Sequence, residues 1–181
     1  ENDSTNESDI AFDSANGKVV ICYEDAGNSS HGTAIVGTVS GTSISFGTAV
    51  VFEAAEVGVP VIAYDVNSGK VVIAYKDAGN SNHGTAIVGT VSGTSISFGT
   101  AVVFNASSTS NIGIAYDANA QKVVIAYQDG STGSAIVGTV SGTSISFGSE
   151  ATFESGTAAD VSVVYDPDSQ KVVVTYIDEG D

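Results

Sequence analysis

Eight aspartates recur in two registers along the 181 residues. Asp13, Asp65, Asp117 and Asp166 each follow an aromatic residue, and Asp25, Asp77, Asp129 and Asp178 each stand two residues after a tyrosine. A ring of carboxylates held at loops could coordinate Ca2+ or accept hydrogen bonds from sugar hydroxyls. His31 and His83 occupy one position in two copies of the loop Asp-Ala-Gly-Asn-Ser-(Ser/Asn)-His-Gly. A binding surface at these loops would use the side chains of Asp25, Asn28, His31, Asp77, Asn80, Asn82, His83 and Asp129, presented on segments held by rigid strands.

Each of these groups also has a plainer role. Asp and Asn cap hairpin turns by accepting backbone N–H bonds, and that accounts for the aspartates without a ligand. The spacing Asp65-x-Asn67-x-Gly69 opens like a calcium loop, but the matching turn from Asp117 to Gln121 lacks the glycine. No bidentate Glu follows where an EF-hand needs one. Two histidines without a third ligand do not make a zinc site. Neither a Gly-x-Ser-x-Gly elbow nor an activated Cys is present, and no Ser-His-Asp set stands out, so the chain is expected not to be an enzyme and to need no cofactor, with Ca2+ the one ion its carboxylates suit. Cys22 lies in the apolar run Val19-Val20-Ile21-Cys22-Tyr23 and reads as a small core residue.

The elements that position these groups are written in an internal repeat. Residues 31–52, HGTAIVGTVSGTSISFGTAVVF, recur unchanged at 83–104, and AIVGTVSGTSISFG recurs again at 135–148. The lysines at 18, 70, 122 and 171 mark intervals of 52, 52 and 49 residues, the last shortened in one loop after Asp129. One period reads as four strands: Val61–Asp65, Lys70–Asp77, Thr85–Ser92 and Ser95–Phe104, joined by turns at Asn67-Ser68-Gly69 and Gly93-Thr94. The second strand, Val71-Val72-Ile73-Ala74-Tyr75, is apolar on both faces and must be covered on both sides. Four antiparallel strands per period, stacked face to face, predict an all-β, β-propeller-like array of about three and a half blades. The tally is fourteen strands. The expected organisation is a flexible acidic segment 1–8, repeats at 9–53, 61–104 and 112–153, and a half repeat at 160–181, all in one domain. Tyr64, Tyr116, Tyr165 and Tyr23, Tyr75, Tyr127, Tyr176 are expected between blades rather than as sugar-stacking platforms.

The string YDVNSGKVVIAYKDAGNSNHGTAIVGTVSGTSISFGTAVVF resembles the near-identical propeller-type repeats of marine phage and bacterial surface or fibre-like proteins. The resemblance implies an extracellular or virion-surface location. The Trp-Asp pair of WD40 repeats, the paired glycines of kelch repeats and the Asp box and arginine cluster of sialidases are all missing.

With 21 acidic residues against 5 basic ones the formal charge is −16, which disfavours nucleic acid and anionic membranes as partners. Gly, Ser and Thr interrupt every apolar run short of a membrane span. The chain has no Met, so processing or excision from a longer protein is expected, and four sequons begin at Asn2, Asn6, Asn28 and Asn105. The leading expectation is a non-catalytic surface module that binds a glycan or host-surface protein through its loops. The alternative is a structural subunit of a self-assembling fibre or appendage, whose unfinished last blade a neighbouring subunit completes at its open edge.

Overall fold

The computed structural model describes residues 4–180, and these form an all-β, antiparallel structure. In chain order the strands are β1 (Thr5–Asp13), β2 (Lys18–Asp25), β3 (His31–Ser40), β4 (Ser43–Phe46), β5 (Val50–Asp65), β6 (Lys70–Asp77), β7 (His83–Ser92) and β8 (Ser95–Phe98). They continue with β9 (Val102–Asp117), β10 (Lys122–Asp129), β11 (Thr132–Ser141), β12 (Ser144–Phe147), β13 (Ala151–Glu154), β14 (Ala158–Asp166) and β15 (Lys171–Asp178). Two short 3-10 turns, Ala26–Asn28 and Ala78–Asn80, are the only helical pieces among the described residues, and no helix there is long and apolar enough to cross a membrane.

Each period is a four-stranded meander, but its fourth strand is not the single segment Ser95–Phe104. It breaks at Gly99, and the residues after the break run on into the next repeat as one 16-residue strand. The first half of β9 pairs with β7 of its own unit, and the second half pairs with β10 of the next. β5 bridges units one and two in the same way. The result is an open 13-stranded sheet rather than separate blades, with β14–β15 as a second, two-stranded sheet. Residues 54–60 and 105–111, placed between repeats by the sequence reading, are strand. So are Thr5–Ser8, assigned there to a flexible segment; Thr5 pairs with Asp25 and Ser8 with Tyr23. The count is therefore fifteen strands, because the split adds short strands while two long strands fuse neighbours. The third crossing does break, at Ser155-Gly156-Thr157, where Gly replaces Ala55 and Ser107 of the other repeats and the Glu154 carboxylate accepts the Gly156 N–H at 2.9 Å.

The sheet folds so that successive units pack face to face, and the two faces of one strand serve two different cores. Val71, Ile73 and Tyr75 of β6 face unit one with Val20, Cys22, Ala34 and Val36. Val72 and Ala74 of the same strand face unit three with Val123, Ile125 and Tyr127. A third cluster joins Ala126 to Ala158 and Val161 of the last hairpin. At each contact a phenylalanine from the end of one unit packs on a tyrosine of the next: Phe52 on Tyr75, Phe104 on Tyr127, Phe153 on Tyr176, with ring centroids 5.2, 5.0 and 5.1 Å apart. Tyr75 and Tyr127 are fully buried, which places them in the space between units as the repeat suggested.

At the break in the fourth strand, close packing demands glycine in two of the three copies. Gly47 and Gly99 lie so close to the carbonyls of Thr94 and Thr143 in the next unit's turn that a Cβ would overlap them. Gly148, the third copy, has no such neighbour, since the last unit lacks that turn; its nearest atom is the Val137 oxygen at 3.8 Å. Gly99→Ala should therefore cost about 3 kcal/mol, a melting-temperature drop on the order of 10 °C, by overpacking. Gly148→Ala should change stability by less than about 0.5 kcal/mol. Paired thermal melts of the two variants check this.

Candidate functional site

The aspartates that end the first strands close their own turns. Asp13 Oδ1 accepts the N–H groups of Ala15 and Asn16 at 3.1 Å each, and Asp65 Oδ1 accepts those of Asn67 and Ser68 at 2.9 and 3.0 Å. Asp117 takes Asn119 and Ala120, both at 2.9 Å. The next unit then grips the turn: the Ala15 N–H also reaches the Tyr64 hydroxyl at 3.3 Å. Burial first, then the adjacent Asp13 and Asp65, push the Tyr64 and Tyr116 hydroxyls above the ordinary phenol range.

The loop residues stand at the opposite end of the sheets. Register pairs Asp25 with His31 and Asp77 with His83, so each loop brings its own Asp and His together. Asp77 caps its turn through the Asn80 N–H at 3.1 Å, and Asp25 and Asp77 are buried. Ser29, Ser30, Ser81 and Asn82 adopt the left-handed backbone, which turns the Ser30 and Asn82 carbonyls toward Val57 N at 3.0 Å and Thr109 N at 2.9 Å. These loops thus pin the long strands where they cross between units. Asn28, Asn80 and Asn82 remain exposed. Asp129, in the shortened loop, accepts from Asn105 Nδ2 at 3.1 Å, and Asn105 also donates to Thr109 Oγ1 at 2.9 Å. Asn105 is buried, so its sequon does not present an accessible amide; the sequon at Asn2 lies outside the described residues apart from Ser4. Among the described residues no three His, Cys, Asp or Glu side chains form a metal-binding group.

A different place collects one strand from every unit. The first strands β1, β5, β9 and β14 converge on a cleft of about 490 Å3, lined by Glu7 to Asp9, Val59 to Ile62, Ile112 to Ile114 and Val161 to Val163. Each of the last three strands carries an irregularity there: Val59, Asn111 and Asp160 have φ of 48°, 48° and 47°, and the pairing register slips beside them. Positive φ is costly for a β-branched residue such as Val59, so three bulges at one repeat position mark a built feature. Carboxylates of β1 satisfy the backbone that the bulge frees on β5: Glu7 accepts the Val59 N–H, and Asp9 Oδ2 accepts the Ile62 N–H at 2.9 Å. On the next junction Asn111 donates to Gln128 Oε1 at 2.6 Å and to the Ala158 carbonyl at 3.5 Å.

The sequence reading passed over these residues, although a signal for them was present. Aligned by repeat, the columns are Glu7, Val59, Asn111, Asp160; Ser8, Pro60, Ile112, Val161; and Asp9, Val61, Gly113, Ser162. Almost nothing is shared, in a chain whose neighbouring strings are identical over 22 residues. Comparison with known proteins leaves the geometry to stand alone, since no protein-family model matches the chain and a search of curated proteins finds no match.

Three buried groups give a check on this interior. Burial, then the Asp9 charge, raises the Cys22 thiol far above its ordinary range, so the thiolate is not accessible. Burial, then a carboxylate that accepts the hydroxyl, does the same for Tyr75 with Glu53 and Tyr127 with Glu150. A raised folded-state pKa leaves stability intact below the unfolded phenol value of 10.0 and erodes it above. The fold should hold up to about pH 10 and then lose stability steeply, and Tyr127→Phe should flatten that alkaline limb while costing about 1 kcal/mol at neutral pH. Denaturant midpoints across the alkaline range test this, with Cys22 expected to react with a thiol reagent only on unfolding.

Proposed function

We propose that the chain is a non-catalytic binding module, a propeller-like array displayed outside the cell or on a virion, whose ligand seats in the cleft where its first strands converge. The observation that carries this reading is the cleft itself, where one strand from every unit converges and three of the four are bulged at the same repeat position. The strands that pack face to face are copied almost unchanged, whereas the lining at 7–9, 59–61, 112–113 and 161–162 differs in every unit, as does the crossing segment that leads into it. Units stacked face to face around converging first strands have the layout of blades around a channel, which favours the propeller reading.

The chemistry of the lining points to the ligand class. Glu7 and Asp9 are already engaged by backbone N–H groups, Ser162 is exposed, and Pro60, Ile112 and Val161 supply a buried apolar floor. The cleft holds no cation among its lining residues to receive a sulfated or sialylated sugar. A neutral glycan, with hydroxyls for the rim and C–H faces for the floor, fits best. The exposed amides of Asn28, Asn80 and Asn82 form a secondary surface. A structural role in a fibre or appendage is the second reading, favoured by the apolar face that unit one leaves open.

Binding to an array of neutral and acidic glycans tests the first reading. Neutral glycans should bind, and Ser162→Phe, which fills the cleft from an exposed position, should weaken them on the order of tenfold or more with little change in melting temperature. Asn80→Ala with Asn82→Ala should bind normally. Loss of binding only in the loop variant would move the site to the loops, and an array without signal would end the reading.

A further inference from the structure

The repeats supply an internal comparison for the two ends of the stack. Each unit has one face of large side chains, turned toward the preceding unit, and one face of small ones, turned toward the next. On unit two the large face is Ile62, Val71, Ile73, Tyr75, Ile87 and Ile96, all between 0 and 5% exposed because unit one covers it. Unit one bears the same face, which is open in part among the described residues, although Tyr23, the counterpart of Tyr75, is buried. Ile10 and Phe12 on β1 are 56 and 59% exposed, and Ile44 and Phe46 on β4 are 47 and 50% exposed. At the other end the small face of the last hairpin is equally bare: Val164 on β14 and Val173 on β15 are 58 and 42% exposed. By repeat position Val173 and Thr175 correspond to Val72 and Ala74, which on unit two pack against the large face of unit three.

We infer that these two faces are partners, and that the occupant of the large face of unit one is the β14–β15 hairpin of a second copy of this chain. The contact repeats the one already made twice inside the molecule between small and large faces of four-stranded units, so it needs no new chemistry. It is heterologous, head to tail, and therefore extends into a ring or a filament according to the rotation between copies. The interaction concerns the sheet faces, not the unpaired edge of β15, and it stands whether or not the cleft binds a glycan.

The hairpin has two strands, so it covers the inner half of the face, Ile10, Phe12 and Ile21. It does not reach the outer half, where a hollow of about 190 Å3 is lined in part by Thr5, Ile35 and Phe46. The position of an interfering charge thus discriminates among occupants. All the residues to be changed are exposed, so folding is expected to survive, and thermal melts verify it.

Sedimentation of the full chain from micromolar to millimolar concentration should show mass rising with concentration. The rise should be stronger at high salt, because the charge of −16 on each copy opposes contact. Phe12→Glu at the head and Val173→Glu at the tail should each weaken self-association on the order of tenfold or more. An equimolar mixture of the two variants should form dimers and nothing larger, since one wild-type head meets one wild-type tail. Phe46→Glu should change association little. A chain that stays monomeric overturns the inference. So does association that survives Val173→Glu, which would mean two heads meeting, or association abolished by Phe46→Glu and untouched by Phe12→Glu, which would mean an occupant larger than the hairpin.

Discussion

Everything in this molecule depends on one contact, the large face of a four-stranded unit packed on the small face of the unit before it. A single unit cannot bury both of its faces, so it has no core of its own; the core lies between units. The central strand of unit two shows the economy of this arrangement. Five consecutive residues from Val71 to Tyr75 are fully buried, alternately facing backward and forward. The phenylalanine carried forward from the end of one unit ties it to the next, since it touches a tyrosine of the next unit and, at the two complete junctions, a second phenylalanine as well. Because that phenylalanine sits just before the chain crosses to the next unit, packing and connectivity are set by the same few residues.

The long strands follow from this. If the ring of Phe52 must lie on unit two while its backbone pairs with β3, the chain has only a few residues in which to change sheets, and it does so without leaving the extended conformation. The cost appears as the bulges at Val59, Asn111 and Asp160, where pairing slips and the backbone passes through positive φ. A bulge frees backbone N–H groups on the inner edge, and the carboxylates of Glu7 and Asp9 satisfy two of them. The cleft is therefore a consequence of how the units are joined. Its side chains differ from copy to copy, and two of them, Ile112 and Val161, also belong to the cores between units.

That order of causes explains what could be read from the amino acids. The period, the strand types and the doubly covered β6 were legible because burial on both faces leaves an unbroken apolar run. The turn role of Asp13, Asp65 and Asp117 was legible because a hairpin needs acceptors at that spacing. The continuity of β5 and β9 was not, since Glu53 to Glu56 and Asn105 to Ser108 have the polarity and small size of a linker, and only the packing of Phe52 and Phe104 draws them straight. The need for glycine at position 47 was equally hidden: it comes from a threonine carbonyl 47 residues further on, Thr94, a distance no local pattern reports. Among candidate site residues, the loop amides were conspicuous as polar groups between strands, whereas the cleft residues look like ordinary strand ends until the repeats are compared column by column.

The acidity takes a different meaning in this light. At the turns, Asp13, Asp65 and Asp117 hold backbone N–H groups; Glu53 and Glu154 at the crossings accept the hydroxyls of Tyr75 and Tyr176, and Glu150, just before β13, accepts that of Tyr127. For Tyr176 that hydrogen bond is the first cause of its raised pKa, and it helps to lower that of Glu154 behind the bond from Gly156, so charge and hydroxyl hold each other at the last junction even in the open. Most of the described carboxylates thus act as acceptors for groups that the repeat architecture would otherwise leave unpaired, and duplication of the unit multiplies them. A net charge of −16 is then what a scaffold of this kind accumulates by copying. It repels other anions at long range, but it arises from the scaffold and does not name the ligand, for which the lining of the cleft is the better guide.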